Sequence, residues 1–132
     1  MKNANRNKVD INFQEINLLK KEELEKLPLF DIIVSNPPYI RESEKKWMKK
    51  NVLNFEPTNA LFVSDQNPLI FYQAIAEFSK THLKRNGTLY YEINENLSDE
   101  LIELHQNLGF SLTNVIKDIN QKDRILRCSF LK

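Results

Sequence analysis

The chain has 132 residues and a mass of 15.6 kDa, room for one domain of ordinary size but little for a complete cofactor-binding α/β enzyme. Nineteen Lys and Arg against eighteen Asp and Glu leave a net charge of +1, which asks for neither a nucleic-acid phosphate track nor an acidic partner. Cys128 has no second thiol for a disulfide or metal cluster, no stretch approaches the ~20 apolar residues of a membrane span, and Gly87 and Gly109 alone cannot build a glycine-rich phosphate loop, so a soluble cytoplasmic protein without a metal site is expected.

The first ten residues are polar and charged. Val9, Ile11 and Phe13 then alternate with polar neighbours and lead to Ile16, Leu18 and Leu19, the pattern of a strand entering a loop. Lys20 to Lys26 has the character of a short charged helix. Phe30-Asp31-Ile32-Ile33-Val34 is apolar and β-branched and is stopped by Ser35-Asn36-Pro37-Pro38, which predicts a parallel strand buried on both faces and ending in a turn. Arg41 to Asn54 is basic and polar around Trp47 and reads as a mobile loop or surface helix, whose Lys45, Lys46, Lys49 and Lys50 can meet an acidic partner.

Asn67-Pro68 supplies a cap and a first-turn proline for a helix carrying Phe71, Ile75, Phe78 and His82, which Asn86-Gly87 should end. His82 belongs on a helix face, since no second histidine or cysteine stands at metal spacing. Thr88 to Ile93 is the next strand, Ser98 caps a helix carrying Leu101, Leu104 and Leu108, and Gly109 ends that helix. Ser111 to Ile116 and Ile125 to Leu131 follow without an intervening helix, which predicts an antiparallel hairpin. The order strand, strand, helix, strand, helix, strand, strand is α/β with an antiparallel tail.

Asn36-Pro37-Pro38-Tyr39 is the strongest chemical signal. In open α/β sheets ligands bind beyond the carboxyl ends of strands, where this tetrapeptide falls. Two prolines fix φ near ~−65° and remove two backbone donors, leaving a stiff turn rich in acceptors. The Asn36 side-chain carbonyl and the Pro37 carbonyl suit the two N–H bonds of an amide or exocyclic amine, and Tyr39 offers a flat face for a planar group. The plain alternative is a rigid turn with no ligand, because Asn-Pro and Pro-Pro are ordinary turn dipeptides.

Further stretches extend the pattern: Asp31 to Ile40, Phe55-Glu56-Pro57 with Ala60-Leu61-Phe62, Phe71-Tyr72, Tyr91-Glu92-Ile93, and Asp118 with Asp123-Arg124. With these residues and their spacing, the chain from about Asn17 to Leu131 resembles the HemK/PrmC family, which methylates the side-chain amide of the glutamine in the Gly-Gly-Gln loop of peptide chain release factors. The resemblance implies a partial Rossmann-like S-adenosylmethionine-dependent methyltransferase fold, a mostly parallel sheet with a C-terminal antiparallel hairpin. It implies S-adenosyl-L-methionine as cofactor, release factors as partners, Asn36, Pro37, Pro38 and Tyr39 as the catalytic turn, and Asn17, Leu18 and Asn36 at the cofactor. The family's glycine-rich loop and helical substrate-docking domain have no counterpart in residues 1–132, so the chain reads as the C-terminal portion of a catalytic domain. Asn17 stands where the family carries an acidic residue facing adenine, and Asn94 and Leu97 replace a Gly and a Gln that the family often has. The family's strand order, 3-2-1-4-5-7-6, makes Val9 to Phe13 strand 3 and Phe30 to Val34 strand 4, which leaves a strand edge unpaired and predicts self-association through it. Asn-Pro-Pro-Tyr also occurs in DNA adenine and ribosomal RNA guanine methyltransferases, so an amino-group methyltransferase of nucleic acid and a non-catalytic fragment are the alternatives.

Overall fold

The apolar run at Phe30 to Val34 forms strand β1 (Phe30–Ser35) in a computed structural model that describes residues 2–48 and 60–130. Its β-branched side chains suit a pleated strand, and Pro37 and Pro38, with no N–H to give, prevent it from continuing. Two short helices precede it, α1 (Lys2–Asn7) and α2 (Lys21–Leu24). After it come β2 (Ile40–Arg41), a 3-10 turn over Glu42–Trp47, β3 (Phe62–Val63), helix α3 (Ile70–His82) and β4 (Leu83–Glu92). A second 3-10 turn (Glu95–Leu97), α4 (Ser98–Asn107), β5 (Leu112–Lys117) and β6 (Asp123–Ser129) complete the order.

Four strands make one sheet in the order β1-β4-β6-β5. β1 and β4 run parallel, joined by the crossover helix α3, while β6 is antiparallel to both β4 and β5. The α/β class and the C-terminal antiparallel hairpin expected from the sequence are therefore present. β2 and β3 form a separate parallel pair, Ile40 opposite Phe62 and Arg41 opposite Val63.

Register divides the sheet into two unlike faces. Ile33, Leu89, Cys128 and Thr113 lie side by side on one face, followed by Ser35, Tyr91, Leu126 and Val115. This face packs against Tyr72, Ile75 and Ala76 of α3 and Leu97 and Leu101 at the start of α4, forming the core. The other face carries Ile32 and Val34, Tyr90, Ile125, Leu112 and Ile116, and there Ile32 and Val34 are 60% and 75% exposed. Burial of β1 on both faces is thus not observed; among the described residues only one face of the sheet is covered.

Three local expectations are corrected. Val9, Ile11 and Phe13 are about half exposed and form no strand, because alternation becomes a strand only where a neighbour completes its hydrogen bonds. α3 ends at His82 rather than at Asn86-Gly87, and Lys84 to Gly87 form an irregularity inside β4, where Phe30 pairs with Leu83 but Ile32 with Thr88. The turn signal is real but serves this bulge: Asn86 takes φ 67°, and a Cβ on Gly87 would stand 2.9 Å from the Lys84 carbonyl and 3.1 Å from that of Phe30. Asn94, not Ser98, caps the helical segment, its side chain accepting from the Asn96 N–H at 3.0 Å. Gly109, at φ 91°, closes α4 as expected, with Gly109 N–H on the Gln106 carbonyl and Phe110 N–H on that of His105, a Schellman pair. Phe55-Glu56-Pro57, Lys49, Lys50 and Leu131 lie outside the described residues.

Candidate functional site

The Asn36-Pro37-Pro38-Tyr39 turn leaves the carboxyl end of β1, as the sequence predicted, and the β2–β3 pair fixes its far side, where the Ile40 N–H meets the Leu61 carbonyl at 3.1 Å. Pro37 is buried, Pro38 and Tyr39 are partly buried, and Asn36 is exposed. Neither the Asn36 side-chain amide nor the Pro37 carbonyl has a hydrogen-bond partner among the described residues.

Tyr39 is anchored from beyond the turn. Its ring packs against the core, and its hydroxyl donates to Glu92 Oε1 at 2.9 Å. Burial and then the Glu92 carboxylate raise the Tyr39 phenol above its ordinary pKa, so it stays a donor. Glu92 ends β4, and its Oε1 lies 4.0 Å from Arg124 Nη1. Arg124 in turn donates from Nη2 and Nε to Asp118 Oδ2, at 3.1 and 3.4 Å. Asp118 Oδ1 takes the backbone N–H groups of Asn120 (2.8 Å) and Lys122 (3.1 Å). The Lys122 N–H first, with Asn120 and Arg124, holds the Asp118 carboxyl below the usual carboxylate range. From the core side, the Tyr72 hydroxyl donates to the Glu92 carbonyl at 3.2 Å and the Tyr91 hydroxyl to the Tyr72 carbonyl at 3.0 Å, tying the end of β4 to α3.

Tyr39 and Arg124 border a cleft of about 380 Å³ whose other polar walls come from Glu44, Asn94, Glu95, Asn96 and Lys122. Asn36, Pro37 and Pro38 do not line it; they stand on the strand side of Tyr39. Asn17 and Leu18 are elsewhere. Leu18 borders a separate, largely apolar cavity of about 490 Å³ beside α3, with Leu24, Ile70, Ala74 and Phe78. Asn17 is occupied with local structure: its Oδ1 accepts the Leu19 N–H (3.0 Å), its carbonyl the Lys20 N–H (3.0 Å), and its own N–H donates to Glu23 Oε2 (2.8 Å). That N–H, with Lys20, holds Glu23 below its ordinary pKa. The structure therefore gathers Asn36, Pro37, Pro38 and Tyr39 in one turn but does not bring Asn17 and Leu18 into a shared cavity with them. The described residues do not form a cradle that fits S-adenosylmethionine: the polar atoms of Asn17 are turned to its own loop, and no glycine-rich loop is present among them.

Glu92, the anchor of the Tyr39 hydroxyl, is the residue that sequence reasoning valued only for likeness. The one usable signal was a single charge closing the apolar run Leu89-Tyr90-Tyr91, a setting in which a carboxylate needs a partner. Nothing local names Tyr39 as that partner, 53 positions away.

No protein-family model matches the chain. It is 49% identical over 129 residues to the release factor glutamine methyltransferase of Flavobacterium psychrophilum, an alignment covering 98% of this chain and 45% of that protein. Against the protein of the same name from Bacteroides thetaiotaomicron it is 50% identical over 97 residues, 74% of this chain and 35% of the other. The bifunctional methyltransferase of Rickettsia bellii is 36% identical over 103 residues, 78% of this chain and 18% of that one. A solved protein-(glutamine-N5) methyltransferase from Alicyclobacillus acidocaldarius aligns with TM-score 0.44 at 16% identity, over 87% of this chain and 90% of that chain. The chain spans less than half the length of the curated relatives it matches. By identity sustained along 98% of its residues, it belongs to the release factor glutamine methyltransferase family, HemK/PrmC, as the counterpart of a part of those proteins.

Proposed function

We propose that the chain supplies the amide-binding part of a methyltransferase that transfers a methyl group from S-adenosyl-L-methionine to the glutamine side chain in the Gly-Gly-Gln loop of peptide chain release factors. The observation that carries this reading is a pair of acceptors without a partner among the described residues, Asn36 Oδ1 and the Pro37 carbonyl, on a rigid turn beside an anchored aromatic ring. Each acceptor takes one N–H of the glutamine amide, and the Tyr39 ring packs on its plane. An amide nitrogen is a weak nucleophile, so the contribution of these residues is orientation rather than proton removal. No step is assigned to the methyl donor here, since the described residues do not cradle it.

A peptide containing Gly-Gly-Gln, titrated calorimetrically into the chain, tests the reading. Binding is expected, and Asn36→Ala should weaken it about tenfold, the ~1.4 kcal/mol scale of a lost hydrogen bond to a buried amide. Equal affinity for the variant removes Asn36 from the site, and tighter binding of single-stranded RNA or DNA than of the peptide transfers the reading to a nucleic-acid amine. A second reading, binding of such a substrate without turnover by this chain alone, is favoured by the separation of Asn17 and Leu18 from the turn. Very weak binding of S-adenosylmethionine is its expected signature, and micromolar affinity would overturn it.

A further inference from the structure

We propose that Glu92 and Arg124 are positioning residues for Tyr39, setting the tilt of its ring through a chain of contacts that begins at Asp118 in the β5–β6 turn. The inference rests on the reading of Tyr39 as the face on which the substrate amide packs. A tyrosine in a loop turns about χ1 and χ2, and the rigid Pro37-Pro38 backbone fixes only its Cα. A bond at the hydroxyl fixes the other end of the side chain, and the 2.9 Å contact to Glu92 is that bond.

Glu92 is in turn contacted at its backbone and at its carboxylate. Its backbone is held by the Tyr72 hydroxyl, and its Oε1 stands between the Tyr39 hydroxyl and Arg124. Arg124 is set by its two bonds to Asp118, whose other oxygen is fixed by two backbone N–H groups of its own turn. The arrangement reaches from the hairpin tip across the end of β4 to the turn after β1. These side chains are all partly exposed, and ion pairs in such settings contribute little stability, ~0–1 kcal/mol. Their removal should therefore disturb the ring while leaving the fold nearly unchanged, which separates positioning from a structural role.

NMR of the whole chain with ring-¹³C tyrosine reads this directly, Tyr39 being assigned among the four tyrosines by its loss in Tyr39→Phe. In Glu92→Ala the Tyr39 ring order should fall and its phenol should titrate at lower pH, while the Tyr91 signals and the urea midpoint stay in place. Arg124→Ala should give the same change at smaller size, and Arg124→Lys should restore part of it. With the Gly-Gly-Gln peptide as probe, Glu92→Ala should lose about tenfold in affinity. An unchanged Tyr39 ring in Glu92→Ala overturns the inference. Should Glu92→Ala fail to fold, Glu92→Leu, which keeps most of the volume and removes the acceptor of the Tyr39 hydroxyl, decides on the same readout. A ring that follows Glu92 in a protein that does not bind the peptide supports the positioning and overturns the substrate reading instead.

Discussion

The two faces of the four-stranded sheet are made of alternate residues from the same strands, yet they meet opposite surroundings. Leu89, Tyr91, Leu126 and Cys128 of the inner strands β4 and β6 are fully buried beneath α3 and α4, while on the opposite face Ile32 and Val34 of β1 and Leu112 and Ile116 of β5, both edge strands, remain exposed. Both sets are apolar, so composition does not distinguish them; the covering helices and the place of the strand in the sheet do. Apolar surface stabilises a fold in proportion to the water it excludes, and the same residue type should thus matter on one face and hardly at all on the other.

Truncation tests this most sharply. Leu89→Ala should cost ~2–5 kcal/mol in urea denaturation, against at most ~0.5 kcal/mol for Ile32→Ala on the open face. Comparable losses would mean that something covers the open face in solution. Gly87→Ala should rank next, at ~1–3 kcal/mol, because its Cβ meets backbone oxygens that cannot move aside without breaking the β1–β4 register.

A pH effect near neutrality belongs to the covered face. His105 is buried beside Tyr91, with Nδ1 on the Leu101 carbonyl at 2.6 Å, and burial lowers its pKa below the usual histidine value. The unfolded chain takes up a proton near pH ~6.5 that the folded chain declines. Stability is therefore complete above that pH and falls as pH drops from it towards the folded-state pKa. The urea midpoint should decline between pH 7.5 and 5.5, and His105→Phe should flatten that slope; an unaltered slope would assign it to other groups. Cys128, whose thiol burial pushes up to about 12, stays neutral throughout and contributes nothing to it.

The smallest expected change in stability accompanies the largest expected change in association. Among the described residues β1 pairs with β4 alone, which leaves its second edge, beside Ile32 and Val34, without a partner strand there. Val34→Lys should leave the denaturation curve within ~0.5 kcal/mol of wild type and abolish any rise in mass with concentration, since a charged side chain blunts an edge. Light scattering over a tenfold concentration range checks it. A wild-type chain that remains at 15.6 kDa throughout would remove the edge as a contact site.

The same contrast explains what was legible in the sequence. β1, β4, β6 and α4 were readable because periodicity and turn residues are local properties, and the hairpin followed from the absence of a helix between two apolar runs. Val9 to Phe13 shows the limit: its alternation is as clear as that of Thr88 to Ile93, but a strand is defined by its neighbour. Asn86-Gly87 was read as a helix end, yet the same backbone freedom is used to loop four residues out of a strand. At the site, the Asn-Pro-Pro-Tyr turn was legible because its rigidity is written in its own residues. The Tyr39–Glu92 bond was not, since it depends on the parallel pairing that sets Ser35 opposite Tyr91.

The pairing of β2 with β3 holds the turn. Ile40 and Arg41 meet Phe62 and Val63, and Ser43 reaches Asp65 from just beyond, so the chain is held by a second segment immediately after Tyr39. The two-residue pair is a clasp: the direction in which the chain leaves Tyr39 is set by Leu61, Phe62 and Val63 and not by the proline pair alone, so a change at Val63 is felt at the turn although it lies far away in sequence.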